Sequence, residues 1–80
     1  MATDTTPSGA VAAEVRGELA RTRKTAAALA DEINMTRATL SRRLSGASPF
    51  TLDELALIAP VLGTTVTDLV SSALSRRSAA

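Results

Sequence analysis

The sequence contains no cysteine and no histidine, and Phe50 is its only aromatic residue. The first two absences exclude disulfide bonds, thiolate nucleophiles and the usual zinc sites, and they leave few groups for acid–base catalysis. We therefore predict no enzymatic activity, no cofactor and no metal. With one aromatic residue, the core has to be built from Leu, Ile, Val and Ala, and we expect Phe50 to fill the core rather than to stack on a base.

Long apolar runs are also missing. No stretch approaches the roughly 20 apolar residues that span a bilayer, and the N-terminus lacks the basic and apolar regions of a secretion signal. The absence of cysteine fits a reducing compartment. We expect a cytoplasmic protein of one small domain, without a membrane partner or a small-molecule substrate.

The charged residues are unevenly distributed, although the net charge is only +1. Residues 16–46 carry seven basic and three acidic side chains, a net charge of +4, whereas residues 47–80 carry a net charge of −1. A domain that is basic on one side suits a polyanionic partner. An ordinary solvated surface explains the same distribution, and charge alone leaves both interpretations open.

Apolar periodicity predicts an all-α bundle of about five short helices. The flanking segments 1–9 and 75–80 have nothing to bury, so we expect a disordered N-terminal arm, a folded domain over 10–74 and a flexible C-terminal tail. The predicted helices cover residues 10–22, 26–33, 37–45, 52–62 and 66–74.

Several turn and capping signals set these boundaries. Thr51 and Glu54 form a T-x-x-E capping box at the start of the fourth helix, and Gly63 ends it. Pro60 removes a hydrogen bond to the carbonyl of Ala56, which predicts a kink or an early end. The apolar face predicted for this helix consists of Leu52, Leu55, Ile58, Ala59 and Leu62.

The most informative stretch is residues 24–46, KTAAALADEINMTRATLSRRLSG. Asn34 breaks it into two helices because asparagine enters the left-handed conformation at little cost, and Thr36 caps the second helix. Leu40 and Leu44 anchor one side of that helix. At about 100° per residue, small and basic side chains lie on the opposite side, which suits insertion into a DNA major groove. They are Ala38, Ser41, Arg42 and Ser45, with Arg37 at the exposed tip.

The joint spacing of these residues over about 15–70 resembles the lambda-repressor-like, Xre-type helix-turn-helix domain. The matching positions are Thr25, Leu29-Ala30, Asn34, Thr36, Leu40-Ser41, Gly46, Thr51-Leu52, Leu55, Ile58-Ala59, Leu62-Gly63 and Leu69. The resemblance implies a bundle whose third helix reads the major groove of double-stranded DNA. It also implies a bacterial or phage transcriptional regulator, such as a repressor, often bound as a homodimer to a two-fold operator.

The resemblance assigns roles to individual side chains. Base contacts fall on Arg37, Ala38 and Arg42. Charge and position in the helices, rather than the resemblance, suggest contacts to the DNA backbone, or secondary base contacts, from Arg21, Arg23, Lys24, Thr25, Thr36, Thr39, Ser41 and Arg43. Thr36, Thr39 and Ser41 are equally explained as caps or helix surface. A possible dimer surface consists of Val66, Leu69, Val70 and Leu74, although a protein partner or simple core packing explains these apolar residues equally well.

Three positions depart from the family pattern. Ala26 stands where the family commonly has a glutamine that braces the reading helix, so that support is missing or comes from Arg23 or Lys24. Asn34 replaces the usual glycine of the turn, and Pro60 interrupts the fourth helix. The alternative function is an antitoxin or adaptor of the same fold whose main partner is a protein.

Overall fold

The computed structural model describes residues 6–79, and five helices account for most of them. The predicted all-α bundle is confirmed. The helices are α1 (Pro7–Thr22), α2 (Ala26–Glu32), α3 (Arg37–Leu44), α4 (Leu52–Val61) and α5 (Val66–Ala79).

Threonine caps begin the helices where the sequence predicts them. The hydroxyls of Thr25, Thr36 and Thr51 accept the amide three residues later at 3.0–3.1 Å, and Thr65 does the same at 3.0 Å. The capping box of α4 is complete, since Glu54 Oε1 also accepts the Thr51 amide at 2.9 Å. Each cap satisfies an amide that the first helical turn leaves without an intrahelical partner.

The start of α1 corrects one prediction. The helix begins at Pro7 and not at Ala10, because Thr6 caps it by accepting the Gly9 amide at 3.0 Å and proline suits the first helical position. Gly9 and Ala10 are buried. The predicted disordered arm is therefore wrong for residues 7–9, and residues 1–5 lie outside the described residues.

The C-terminal tail is the second correction. α5 continues to Ala79, so residues 75–79 are helical where we predicted a flexible tail. The helix is extended because α5 packs along α1. Ala73 is fully buried, and Arg76 Nη2 donates to Glu14 Oε1 on α1 at 3.0 Å. Ala80 lies outside the described residues.

The hydrophobic core lies where the five helices meet. The predicted inward side of α3 is confirmed, and Phe50 packs against the core in a half-buried position. Leu52 corrects the predicted face of α4, because its side chain is 72% exposed. Helical side chains tilt toward the N-terminus, so the side chain of the first residue projects beyond the end of α4. The core residues include Val11, Val15, Leu19, Leu29, Ala30, Ile33, Leu40, Leu44, Leu55, Ile58, Ala59, Leu62 and Leu69.

The predicted dimer surface on α5 also needs correction. Leu69 is 1% exposed and Val66 packs against the core, because α5 uses this stripe to cover α1 and α4. Val70 is half-buried, and Leu74 is 43% exposed. Leu69 is therefore a core residue and not part of a surface.

Pro60 lies in the last turn of α4. The helix passes through it and ends one residue later at Val61, after which Gly63 adopts a φ of 73°. The Thr64 amide then bonds back to the Ala59 carbonyl at 2.9 Å. Pro60 has no amide hydrogen for the Ala56 carbonyl, so the last turn of α4 has one intrahelical hydrogen bond fewer.

The helices of the described residues are short relative to the thickness of a bilayer. Among the described residues, no single helix is long and apolar enough to cross a membrane. α4 and α5 reach the required length and composition only together, and they are bent by 102° at the break between them.

Candidate nucleic-acid interface

The turn between α2 and α3 has the conformation that the sequence predicts. Asn34 adopts a φ of 58°, and the Met35 amide bonds to the Ala30 carbonyl at 2.9 Å. This pattern is the Schellman end of a helix, which reverses the chain within two residues. Thr36 then starts α3, while Met35 packs against the core between the two helices.

One side of α3 is buried and the opposite side is free. Leu40 is 1% exposed and Leu44 is 9% exposed, so both leucines hold the helix against the core. The predicted outward side chains are all exposed. The side chain of Arg42 has no hydrogen bond or ion pair within the described part of the chain. α3 therefore presents a protruding surface of small and basic side chains: Ala38, Ser41, Arg42 and Ser45.

Arg37 lies at the N-terminal tip of α3 and has one acidic neighbour. Its Nη2 is 3.6 Å from Asp31 Oδ2 on α2, and the two side chains are 69% and 70% exposed. Exposed pairs of this kind contribute roughly 0–1 kcal/mol because water screens them. The guanidinium of Arg37 is therefore available to an outside ligand.

The basic side chains at the C-terminal end of α1 differ in how closely they are bound by acidic partners. Arg23 is exposed, has a φ of 57° at the end of α1 and has no side-chain partner among the described residues. Arg21 pairs with Glu18 at 2.6 Å but remains 62% exposed. Lys24 donates to Glu32 at 2.9 Å and is 26% exposed. Arg23 is thus the freest of the three predicted backbone contacts.

The threonines predicted as secondary contacts have structural partners. Thr25 and Thr36 cap their helices, and the Thr36 hydroxyl is also 2.8 Å from the hydroxyl of Thr39. Thr25 and Thr36 are exposed, and Thr39 is half-buried. Their hydroxyls have capacity for one further hydrogen bond.

Two polar contacts that the sequence analysis missed hold the C-terminal end of α3. Arg16 Nη1 on α1 donates to the Leu44 carbonyl, which the helix end leaves without an amide partner. On another side, Arg43 donates to Glu54 on α4. These two contacts brace α3 against α1 and α4. Lys24, which the sequence suggested for this role, pairs instead with Glu32 on α2.

The ion pair of Arg43 and Glu54 is bidentate. Nε donates to Oε1 at 3.0 Å and Nη2 donates to Oε2 at 3.2 Å. The bond from Arg43 and the Thr51 amide lower the pKa of Glu54 against the opposing effect of burial. Arg21, Lys24 and Arg37 also have acidic neighbours, but both side chains of the Arg43–Glu54 pair are less than one fifth exposed, so Arg43 is the least available of the predicted cationic DNA contacts.

A sequence model of the helix-turn-helix family matches residues 17–69, which is more than half of the chain. The chain belongs to this family. The match is to the lambda-repressor-like type and includes the α2–α3 turn and the whole of α3. Comparison with characterised proteins and with solved structures gives no significant match. Helix-turn-helix domains of this type are DNA-binding regulatory domains, so double-stranded DNA is the partner that the family implies.

Proposed function

We propose that this helix-turn-helix protein is a sequence-specific transcriptional regulator, a repressor of bacterial or phage type, that reads the major groove with α3. The observation that carries the proposal is the two-sided character of α3. Its buried leucines anchor it to the core, and its opposite side is exposed and carries only small and basic side chains. The B-DNA major groove, about 12 Å wide, admits one helix of this size.

Three side chains of α3 are the proposed base contacts. Arg37 and Arg42 each have a guanidinium that can donate two parallel hydrogen bonds to O6 and N7 of guanine. Ala38 lies between them on the exposed side, and its methyl group suits contact with the methyl group of thymine. We therefore expect guanines in each half-site.

A second group of residues is proposed to contact phosphates. Arg23 leads this group because its side chain is exposed and without a partner among the described residues. Arg43 is not among the open phosphate contacts, since Glu54 occupies its guanidinium. The remaining proposed contacts are Arg21, Lys24, Thr25, Thr36, Thr39 and Ser41.

Selection from a randomised duplex pool at about physiological salt tests the proposal, because non-specific binding is weak there. We expect enrichment of a two-fold motif with guanines in both halves, as a homodimer on an operator requires. A single unpaired motif would instead indicate a monomer. Absence of any enriched motif, with folded protein, would contradict sequence-specific reading.

Exposed leucines favour a second candidate function, an antitoxin or adaptor whose main partner is a protein. Leu52 is 72% exposed and Leu57 is 54% exposed, both on α4. The salt dependence of DNA affinity separates the two functions, because phosphate contacts release counterions and protein contacts release few. A steep dependence supports the regulator.

Replacing Arg23 with glycine is expected to weaken binding to all duplexes by a similar factor. The change removes one phosphate contact, so the slope of log affinity against log salt should fall by about 0.9. Glycine suits the positive φ of this position, so the fold should not lose stability. Titrations of cognate and unrelated duplexes over a salt series measure both effects. A loss confined to one sequence would contradict the backbone contact.

A further inference from the structure

The Arg43–Glu54 pair is the best-protected ion pair in the described part of the chain. The two side chains are 18% and 17% exposed, whereas each of the other pairs there has at least one partner above one quarter exposed. Two parallel hydrogen bonds fix the plane of the guanidinium against the carboxylate. The guanidinium of Arg43 is therefore firmly bound to Glu54 in the protein without DNA.

Glu54 is held independently of Arg43. Its Oε1 accepts the Thr51 amide at 2.9 Å, and its own amide donates to the Thr51 hydroxyl at 3.0 Å. The carboxylate is thus fixed by the first turn of α4. Because Glu54 stays in place, it determines the position of the longer and more flexible Arg43 side chain.

Arg43 lies next to the proposed DNA-reading surface. It follows Arg42 by one residue, so it is about 100° around α3 from the side that faces outward. A residue on this flank of an inserted helix lies toward the edge of the groove, where phosphates line the DNA. An unpaired arginine there would be a good phosphate ligand.

We propose that Arg43 is a latent phosphate-binding residue and that Glu54 restrains it, which limits the affinity of the protein for DNA of any sequence. The proposal rests on DNA reading by α3 as described above. A phosphate contact carries no sequence information, so releasing Arg43 adds affinity for every duplex.

Glu54→Gln is the variant that releases Arg43. Glutamine also serves in a capping box, so the start of α4 is retained while the carboxylate charge is removed. Asp53→Asn is the matched control. It removes the same charge from the neighbouring exposed residue, which has no partner in the described part of the chain. Any general effect of a lost negative charge is common to both variants.

The test measures affinity for an unrelated duplex between 50 and 200 mM salt by fluorescence anisotropy, with circular dichroism as the check of folding. We expect the salt slope of Glu54→Gln to be steeper than that of Asp53→Asn by about 0.9. Its advantage in affinity should therefore shrink about 3.5-fold over this range. The double variant Arg43→Met with Glu54→Gln has the net charge of the unaltered protein and should return to the slope of that protein.

Three results would overturn the inference. Equal slopes for Glu54→Gln and Asp53→Asn would mean that Arg43 finds no phosphate when released. A steeper slope that persists in the double variant would assign the effect to another residue. A lower slope for Arg43→Met alone would mean that Arg43 already contacts phosphate in the unaltered protein, and this variant decides the matter if Glu54→Gln fails to fold. Failure of the proposed function is distinct, because the unaltered protein would then enrich no motif from the randomised pool.

Discussion

Replacing Arg42 with alanine is expected to lower affinity for the selected operator by about 1–3 kcal/mol, or roughly 5- to 150-fold. Arg42 lies on the exposed side of α3, directly opposite the buried leucines, and its side chain has no partner among the described residues. It is therefore the proposed base contact whose loss we expect to matter most. The loss should be concentrated at one base pair, because the two hydrogen bonds of a guanidinium distinguish guanine from the other bases.

Arg42→Lys is the matched control for charge. Lysine retains the positive charge but lacks the planar fork, so binding to unrelated DNA should be preserved while discrimination at the one base pair falls. Affinities for the operator and for single-base variants of it measure this discrimination. Equal losses on every duplex for Arg42→Ala would contradict direct base reading and would assign Arg42 to the phosphates.

Replacing Leu40 with alanine is expected to destabilise the protein by about 2–5 kcal/mol. Leu40 is 1% exposed and anchors the middle of α3. Truncation leaves a cavity in addition to losing apolar burial, and a domain of this kind has about 5–15 kcal/mol of stability in total. The variant should consequently lose DNA binding at temperatures where the unaltered protein is folded.

Leu52→Ala is the control for this prediction, because it makes the same chemical change at a side chain that is 72% exposed. We expect its free energy of unfolding to differ from that of the unaltered protein by no more than about 0.5 kcal/mol. Urea unfolding followed by circular dichroism measures both variants, since the sequence has no tryptophan or tyrosine for intrinsic fluorescence. Similar losses for the two variants would contradict the assignment of Leu40 to the core.

Local signals predicted most of the helix boundaries. Thr36 and Thr51 cap helices through bonds to residues three positions away, so neighbouring residues contain all the information needed. Asn34 likewise reveals the turn because few side chains tolerate a positive φ. Thr6 and Pro7 carry the same kind of signal at the start of α1. The polar composition of residues 1–9 nevertheless predicted disorder there, and that prediction is wrong for residues 7–9.

The contacts between distant residues could not be predicted in this way. Arg16 bonds to a carbonyl 28 residues away, and Arg43 to a carboxylate 11 residues away. Periodicity places a residue on a side of its helix, but it does not say which long side chain reaches which partner. Leu69 was misassigned for a related reason, because an apolar stripe looks the same whether it packs against α1 or against another molecule. The outward side of α3 was predicted correctly, and its DNA contacts remain predictions.

The packing of α1 against α5 determines when the protein can fold during its synthesis. It is the most extensive helix contact in the described chain, and it joins the first helix to the last. Residues 23–65 lie between them, and the ribosome needs about 2–9 s to add a segment of that length. Until α5 emerges from the ribosome, the apolar side of α1 is uncovered. The hydrogen bond from Arg16 on α1 to the end of α3 then forms on a helix whose core packing is incomplete. We therefore expect a nascent chain that stops before α5 to remain incompletely folded and open to proteolysis.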